Sequence, residues 1–367
     1  MALLDYVNRA VPSVIKESVR SYTTANPLWN SMIEKRRMQL AGGPNIRIVY
    51  VKQRHSNASD VSNATNWTVT PTWQPILDQG SLDWGQYALP MVLVHENRDR
   101  CNDPADFKRL VADIVNTQID LLWSELWCHV LFGSVYGGAA GVNQFTRIGT
   151  LNGAVTTLLS SGVTAGALQA ATPAAQAAGA TTYLNRPRTF DTAGQVNFWY
   201  NQYQQHLGIG VDFLDKLKTV KRYAAARRQV GTQSKGPSIV VIPLSNMEAT
   251  LRATAVAPGT GHPQVMISLS EAKRGEIIPN LQMVDGMRIE GDWLWDSYGS
   301  GALAPSNQPA YVLDPTAMTL WVSKFNDFKP SPFVDMSKFG QYFDISFMRI
   351  GLQFAVNYLP GLGLLTK

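Results

Sequence analysis

The chain has 367 residues, of which 45% are hydrophobic and only 16% charged, against roughly a quarter charged in typical soluble proteins. This low charge, with ten tryptophans, suits a surface that meets protein more than water. The net charge of +5 and pI near 9.1 come without any Lys/Arg run longer than three and are by themselves no nucleic-acid signature. No stretch approaches the roughly 18 apolar residues of a membrane span, and Asp5 interrupts the start before a secretory h-region forms.

At this length two packed lobes are expected. Residues 1–30 read as an arm: amphipathic pieces around Val11–Val19 are separated by Asn26-Pro27 and carry too few apolar residues for a core. Nine basic residues precede or include Arg54, against Asp5, Glu17 and Glu34, so the early chain holds the whole net charge. Trp29–Leu40 predicts a short helix stopped by Gly42-Gly43-Pro44.

From Asn45 the period changes to two. Ile46, Ile48 and Tyr50 alternate with Arg47, Val49 and Val51; a polar stretch and the strands Trp67–Thr70 and Tyr87–Val94 follow. With prolines at 71, 75 and 90, this predicts a long hairpin reaching away from the body. Asp103-Pro104 predicts a helix start, an N-cap followed by proline at N1. Apolar positions recur from Phe107 to Leu131, and Gly133 ends a helix of roughly 45 Å, a strut.

Residues 134–182 are rich in Gly, Ala, Ser and Thr and predict a loop. Asp191–Arg228 carries helical patterns with Phe198, Trp199, Tyr200 and Tyr203, and ends in the basic residues Lys216, Lys218, Lys221, Arg222, Arg227 and Arg228, a solvated face. Ser238–Pro243 predicts a buried strand, and Ser245–Thr254 a helix whose capping box is Ser245 and Glu248. Strand-like runs at Gln282–Glu290, Tyr311–Leu313, Thr319–Val322 and Tyr342–Val356 complete an α+β second lobe.

Chemistry is sparse. No two of His55, His95, His129, His206 and His262 lie within helical reach, and Cys101 and Cys128 are not a ligand-spaced pair, so neither metal nor cofactor is expected. The cysteines are expected to be reduced. No nucleophile elbow, Walker loop or dinucleotide fingerprint occurs. Glu290 and Asp292 beside Trp293 and Trp295 are the one acid pair that a carbohydrate-active hydrolase could use.

Several stretches in order carry a resemblance: Asn26-Pro27-Leu28 with the following segment, Asp83–Pro90 leading into Val92–Asn97, the helix from Asp103, Ser238–Asn246, Met287–Asp292, Tyr311–Pro315 and Tyr342–Pro360. Together they resemble the major capsid proteins of tailed double-stranded DNA bacteriophages, the Hong Kong 97-type fold. The resemblance lies in order and texture, since no invariant short motif defines that family.

It implies an α+β chain with an N-terminal arm at 1–39, an extended β-hairpin loop at 40–95 and a peripheral domain at 96–189 holding spine helix 103–133. An axial domain at 190–324 and a return to the peripheral domain over 325–367 would follow. It further implies a non-enzymatic virion protein, assembled in the host bacterial cytoplasm, whose hexamers and pentamers form an icosahedral capsid around the genome. Implied partners are other copies, a separate scaffolding protein, a portal, a decoration protein and sequence-independent contact with packaged DNA, with no membrane. Subunit contacts are expected at Lys35, Arg36, Arg37, Arg47, Lys52, Arg54, Trp67 and Trp73, because a protruding hairpin has too little core of its own. An encapsulin-type bacterial compartment, enclosing cargo enzymes, shares the fold and is the nearest alternative.

Overall fold

A computed structural model describes residues 37–40, 43, 45–51, 77–99, 101, 103–133, 148–151, 182–183, 186–187, 201–226, 236–255 and 282–367. In chain order these form β1 (Arg37–Leu40), β2 (Asn45–Val51), β3 (Leu77–Asp83), β4 (Gly85–Val94), α1 (His95–Asp99), α2 (Pro104–Phe132), β5 (Thr182–Tyr183), β6 (Arg186–Pro187) and β7 (Gln202–Gln205). Then come α3 (Phe213–Ala226), β8 (Ile239–Pro243), α4 (Leu244–Ala255), β9 (Gln282–Val284), β10 (Met287–Asp292), α5 (Trp293–Tyr298) and β11 (Ala310–Leu313). The chain closes with β12 (Met318–Ser323), β13 (Lys329–Pro330), β14 (Val334–Asp335), β15 (Phe343–Val356) and β16 (Gly363–Thr366). Described residues within 1–46, 83–152 and 318–355 form one compact unit, and those within 47–82, 153–317 and 356–367 a second.

The first unit is a six-stranded sheet in the order β1-β12-β15-β13, with β14 and β4 also paired to β15. β15 and β4 run antiparallel for ten residue pairs, from Phe343↔Val94 to Leu352↔Gly85. Helix α2 packs on β4. It starts as the sequence requires: Asp103 Oδ1 accepts from the N–H groups of Ala105 (2.7 Å) and Asp106 (2.8 Å), with Pro104 next. Gly133 ends it at φ 70°, donating its N–H to the His129 carbonyl, the left-handed cap that glycine takes without Cβ strain. Phe107, Val111, Val115, Ile119, Leu122 and Leu126 form its buried stripe, and Trp123 packs on Phe328 at 5.2 Å between ring centroids.

The second unit holds a mixed sheet in the order β7-β16-β11-β8-β10-β9. β8 is buried throughout, as expected for a central strand flanked by β10 in parallel and β11 antiparallel. Phe213, Leu217 and Val220 of α3 pack on Val240, Ile242, Ile289, Val312 and Leu365.

Several expectations are corrected. Tyr87–Val94 is no arm of a protruding hairpin: it is β4, bound along β15 inside the first unit. Period-two alternation reports that one face is covered and does not say by what. Of the helix expected at Trp29–Leu40, the described part, Arg37–Leu40, is instead strand β1, parallel to β12, and the rest lies outside the described residues. Tyr203 lies in strand β7, where its hydroxyl meets Thr366 Oγ1 at 2.7 Å. The run 282–290 is a hairpin, turned at Asp285 (φ 51°) and Gly286 (φ 72°), the two positive φ values a tight two-residue turn requires. Ser245 lies inside α4 rather than capping it; Asp296 of α5 accepts from both its N–H (3.0 Å) and its hydroxyl (2.5 Å). The expected return over 325–367 ends at Ala355, because β16 inserts between β7 and β11 of the second unit. The arm, the strand Trp67–Thr70 and most of 134–182 lie outside the described residues.

Candidate functional site

The acid pair proposed for catalysis is occupied structurally. Asp292 is buried and caps α5, its Oδ1 accepting from the Leu294 N–H at 2.8 Å. Glu290 pairs with Arg288 two residues away on the same strand face. The neighbouring Trp295 is buried and donates its indole N–H to the Leu303 carbonyl at 2.7 Å, while Trp293 is exposed. Asp292 thus holds the β10–α5 corner, and Glu290 is paired within β10.

Of the basic contact candidates, Arg37 lies on β1 opposite Leu320, and Arg47 is exposed on β2 between buried Ile46 and Ile48. Lys35, Arg36, Lys52, Arg54, Trp67 and Trp73 lie outside the described residues.

What the sequence did not single out is an apolar sheet face in the first unit. Pairing register puts Val94 beside Phe343, and Val92, Ile345 and Val334 in one row across β4, β15 and β14, followed by Pro90 beside Phe347. Val92, Val94, Val334 and Phe347 are all exposed. The opposite face of the same strands, with Met91, Leu93, Met348 and Ile350, is core. Beyond β14 the chain turns through Gly340 (φ 73°) and displays Phe339 and Tyr342, 74% and 79% exposed. The turn is built: Asp335 Oδ1 accepts from the Ser337 N–H (2.8 Å), and the Met336 N–H donates to the Phe343 carbonyl (3.1 Å). Contiguous exposed apolar surface on ordered backbone marks protein contact. The alternation in Tyr342–Val356 was the available signal; that its outer positions are apolar too was the clue.

Where β14 and β15 meet the start of α1, buried His95 and Asp344 and exposed Asp335 converge, their ligating atoms within 4.8 Å of one another. His95 Nε2 lies 3.0 Å from Asp344 Oδ1 and 3.6 Å from Asp335 Oδ1. Elsewhere in the unit, burial holds the His129 imidazole below its ordinary value, partly offset by its hydrogen bond to the Ile148 carbonyl. No helix among the described residues is long and apolar enough to cross a membrane.

No protein-family model matches the chain, and no curated protein matches its sequence. Solved structures do. The chain is similar to that in "Capsid of native GTA particle computed with C5 symmetry", at TM-score 0.50 and 10% identity over 92% of this chain and 89% of that one. It is equally similar to the cyanophage A-1(L) capsid, at TM-score 0.50 and 12% identity over 92% and 91%. The chain has the phage capsid fold. The Hong Kong 97-type architecture expected from the order of elements is therefore the one observed. The SrpI encapsulin of Synechococcus elongatus is a further neighbour, at TM-score 0.47 and 8% identity over 90% and 84%, and at that distance decides nothing.

Proposed function

We propose that this chain is a structural shell protein that assembles with copies of itself, as hexamers and pentamers, into the icosahedral capsid enclosing a tailed phage's double-stranded DNA. The observation that carries this is a capsid fold shared over 92% of this chain and about nine tenths of each capsid chain. On this reading the first unit serves as the peripheral domain, with α2 as its spine, and the second as the axial domain. The apolar face of β4, β14 and β15 and the Phe339–Tyr342 turn supply subunit contacts, joined by the basic residues Lys35, Arg36, Arg37, Arg47, Lys52 and Arg54 and the tryptophans Trp67 and Trp73. Single exposed ion pairs contribute about a kcal/mol or less, and repetition around a closed shell multiplies them. A scaffolding protein, a portal, a decoration protein and weak sequence-independent contact with packaged DNA complete the partners, and no catalysis is assigned.

Electron microscopy of the chain expressed in bacteria, alone and with a candidate scaffolding protein from the same genome, tests this. Closed particles are expected; a chain that stays monomeric at high concentration in both cases overturns the proposal. Particles that enclose a co-expressed enzyme and exclude DNA would favour the compartment alternative.

A further inference from the structure

We infer that His95, Asp335 and Asp344 form a binding site for one divalent transition cation of the zinc class. The inference stands apart from the shell reading, since it concerns the single chain.

Three elements build the site: the neighbouring strands β14 and β15, and the start of α1, which lies far from both in sequence. His95 opens α1 where β4 ends, and its backbone N–H donates to the Tyr342 carbonyl at 3.1 Å. Asp344 is on β15 and wholly buried. Asp335 is on β14, directly opposite Asp344 in the antiparallel register. Carboxylates facing each other across paired strands repel, yet here both converge on one imidazole nitrogen. A single Nε2 proton serves the Asp344 oxygen at 3.0 Å and does not reach Asp335 Oδ1 at 3.6 Å as a hydrogen bond, an oxygen that accepts from the Ser337 N–H at 2.8 Å instead. A cation answers the arrangement more fully, because two carboxylates and a neutral imidazole balance a double positive charge.

The dimensions suit it. Ligands about 2.0–2.2 Å from a metal stand roughly 3–3.6 Å from each other, the same separations that His95 Nε2 makes with the two carboxylates. One nitrogen and two oxygens favour a borderline metal over calcium or magnesium, which take oxygen ligands. Three protein ligands leave a position for water, and the side chain of Asp335, 45% exposed, is the route of entry. Binding uses the Nε2 lone pair, so the imidazole proton resides on Nδ1 in the loaded form. The ion would tie β14, and with it the Phe339–Tyr342 turn, to β15 and to the start of α1.

The test is titration of the chelator-treated full chain with zinc sulfate, read by calorimetry and by thermal midpoint, with magnesium as comparison. One zinc per chain and a raised midpoint are expected, with no such response to magnesium. Asp335→Asn, at the exposed ligand, is expected to keep the metal-free midpoint and lose affinity by at least about tenfold, the scale seen when even an outer partner of a metal ligand is removed. Asp344→Asn probes the buried ligand but risks the fold, so Asp335→Asn decides. Absence of zinc binding, or unchanged affinity in Asp335→Asn, overturns the site.

Discussion

Gln353 Nε2 donates to the backbone carbonyl of Asp83 at 2.6 Å, across 270 positions of sequence. The same buried amide accepts, through Oε1, from the N–H groups of Gly149 (2.8 Å) and Phe354 (3.0 Å). One side chain on β15 thus ties together the entry to β4 and the segment that follows α2. Gln353→Leu keeps the volume and deletes these bonds; the buried Phe354 N–H loses a partner at about 1–3 kcal/mol, and the half-buried Gly149 N–H and the Asp83 carbonyl of an exposed residue lose less. A loss of about 2–4 kcal/mol in urea denaturation of the unassembled chain is expected.

Gly149 has a second constraint. A Cβ there would stand 2.4 Å from the Phe354 carbonyl oxygen, which is backbone and cannot swing aside. Gly149→Ala is expected to destabilise by about 1–3 kcal/mol or more through overpacking. Gly210, with nothing within 4 Å of its Cβ position, is the control: Gly210→Ala should change stability by no more than about 0.5 kcal/mol. Equal denaturation midpoints for the two variants would refute the argument.

Stability should fall on acidification through the histidines. Burial lowers the folded-state value of His129, and also that of His206, where the Gln308 carbonyl partly offsets it. The unfolded chain therefore takes up protons first as pH drops below about 6.5. The sign follows: the native state is favoured above that pH and loses up to about 1.4 kcal/mol per pH unit per histidine below it. His129→Gln retains an N–H for the Ile148 carbonyl without titrating, so its urea midpoint should vary less between pH 7.5 and 5 than that of the parent chain.

Assembly and folding should separate at the surface. Phe339→Ser with Tyr342→Ser removes exposed aromatics and no core, so the circular dichroism and thermal midpoint of the unassembled chain should be unchanged while particle yield falls severalfold. Lys52→Glu with Arg54→Glu is expected to act likewise. Undiminished particles from either pair would remove those residues from the subunit contact.

Local chemistry was legible in the residues themselves. Asp103-Pro104 and Gly133 delimited α2 because capping depends on neighbours in sequence. The apolar run at Ile239–Pro243 declared a buried strand, and the order of such elements was enough to indicate the capsid fold. Pairing was not legible. Tyr87–Val94 alternates the same way whether it borders a free hairpin or lies along β15, and Gly363–Thr366 could have ended in either unit. Tyr203 sat in a helical pattern that cross-strand partners overrode.

The amino-acid sequence by itself therefore determined where helices start and stop, which stretches are extended and how charge is distributed, since each depends on interactions within a few residues. Only the tertiary structure decided that Val92, Ile345 and Val334 line up in one row on the outer sheet face, that Asp292 caps α5 while Glu290 pairs with Arg288, and that His95 meets Asp335 and Asp344. Those relations join residues far apart in the chain, His95 and Asp344 by 249 positions. They exist because strand register, set by burial of one sheet face, fixes every side chain along the strand at once.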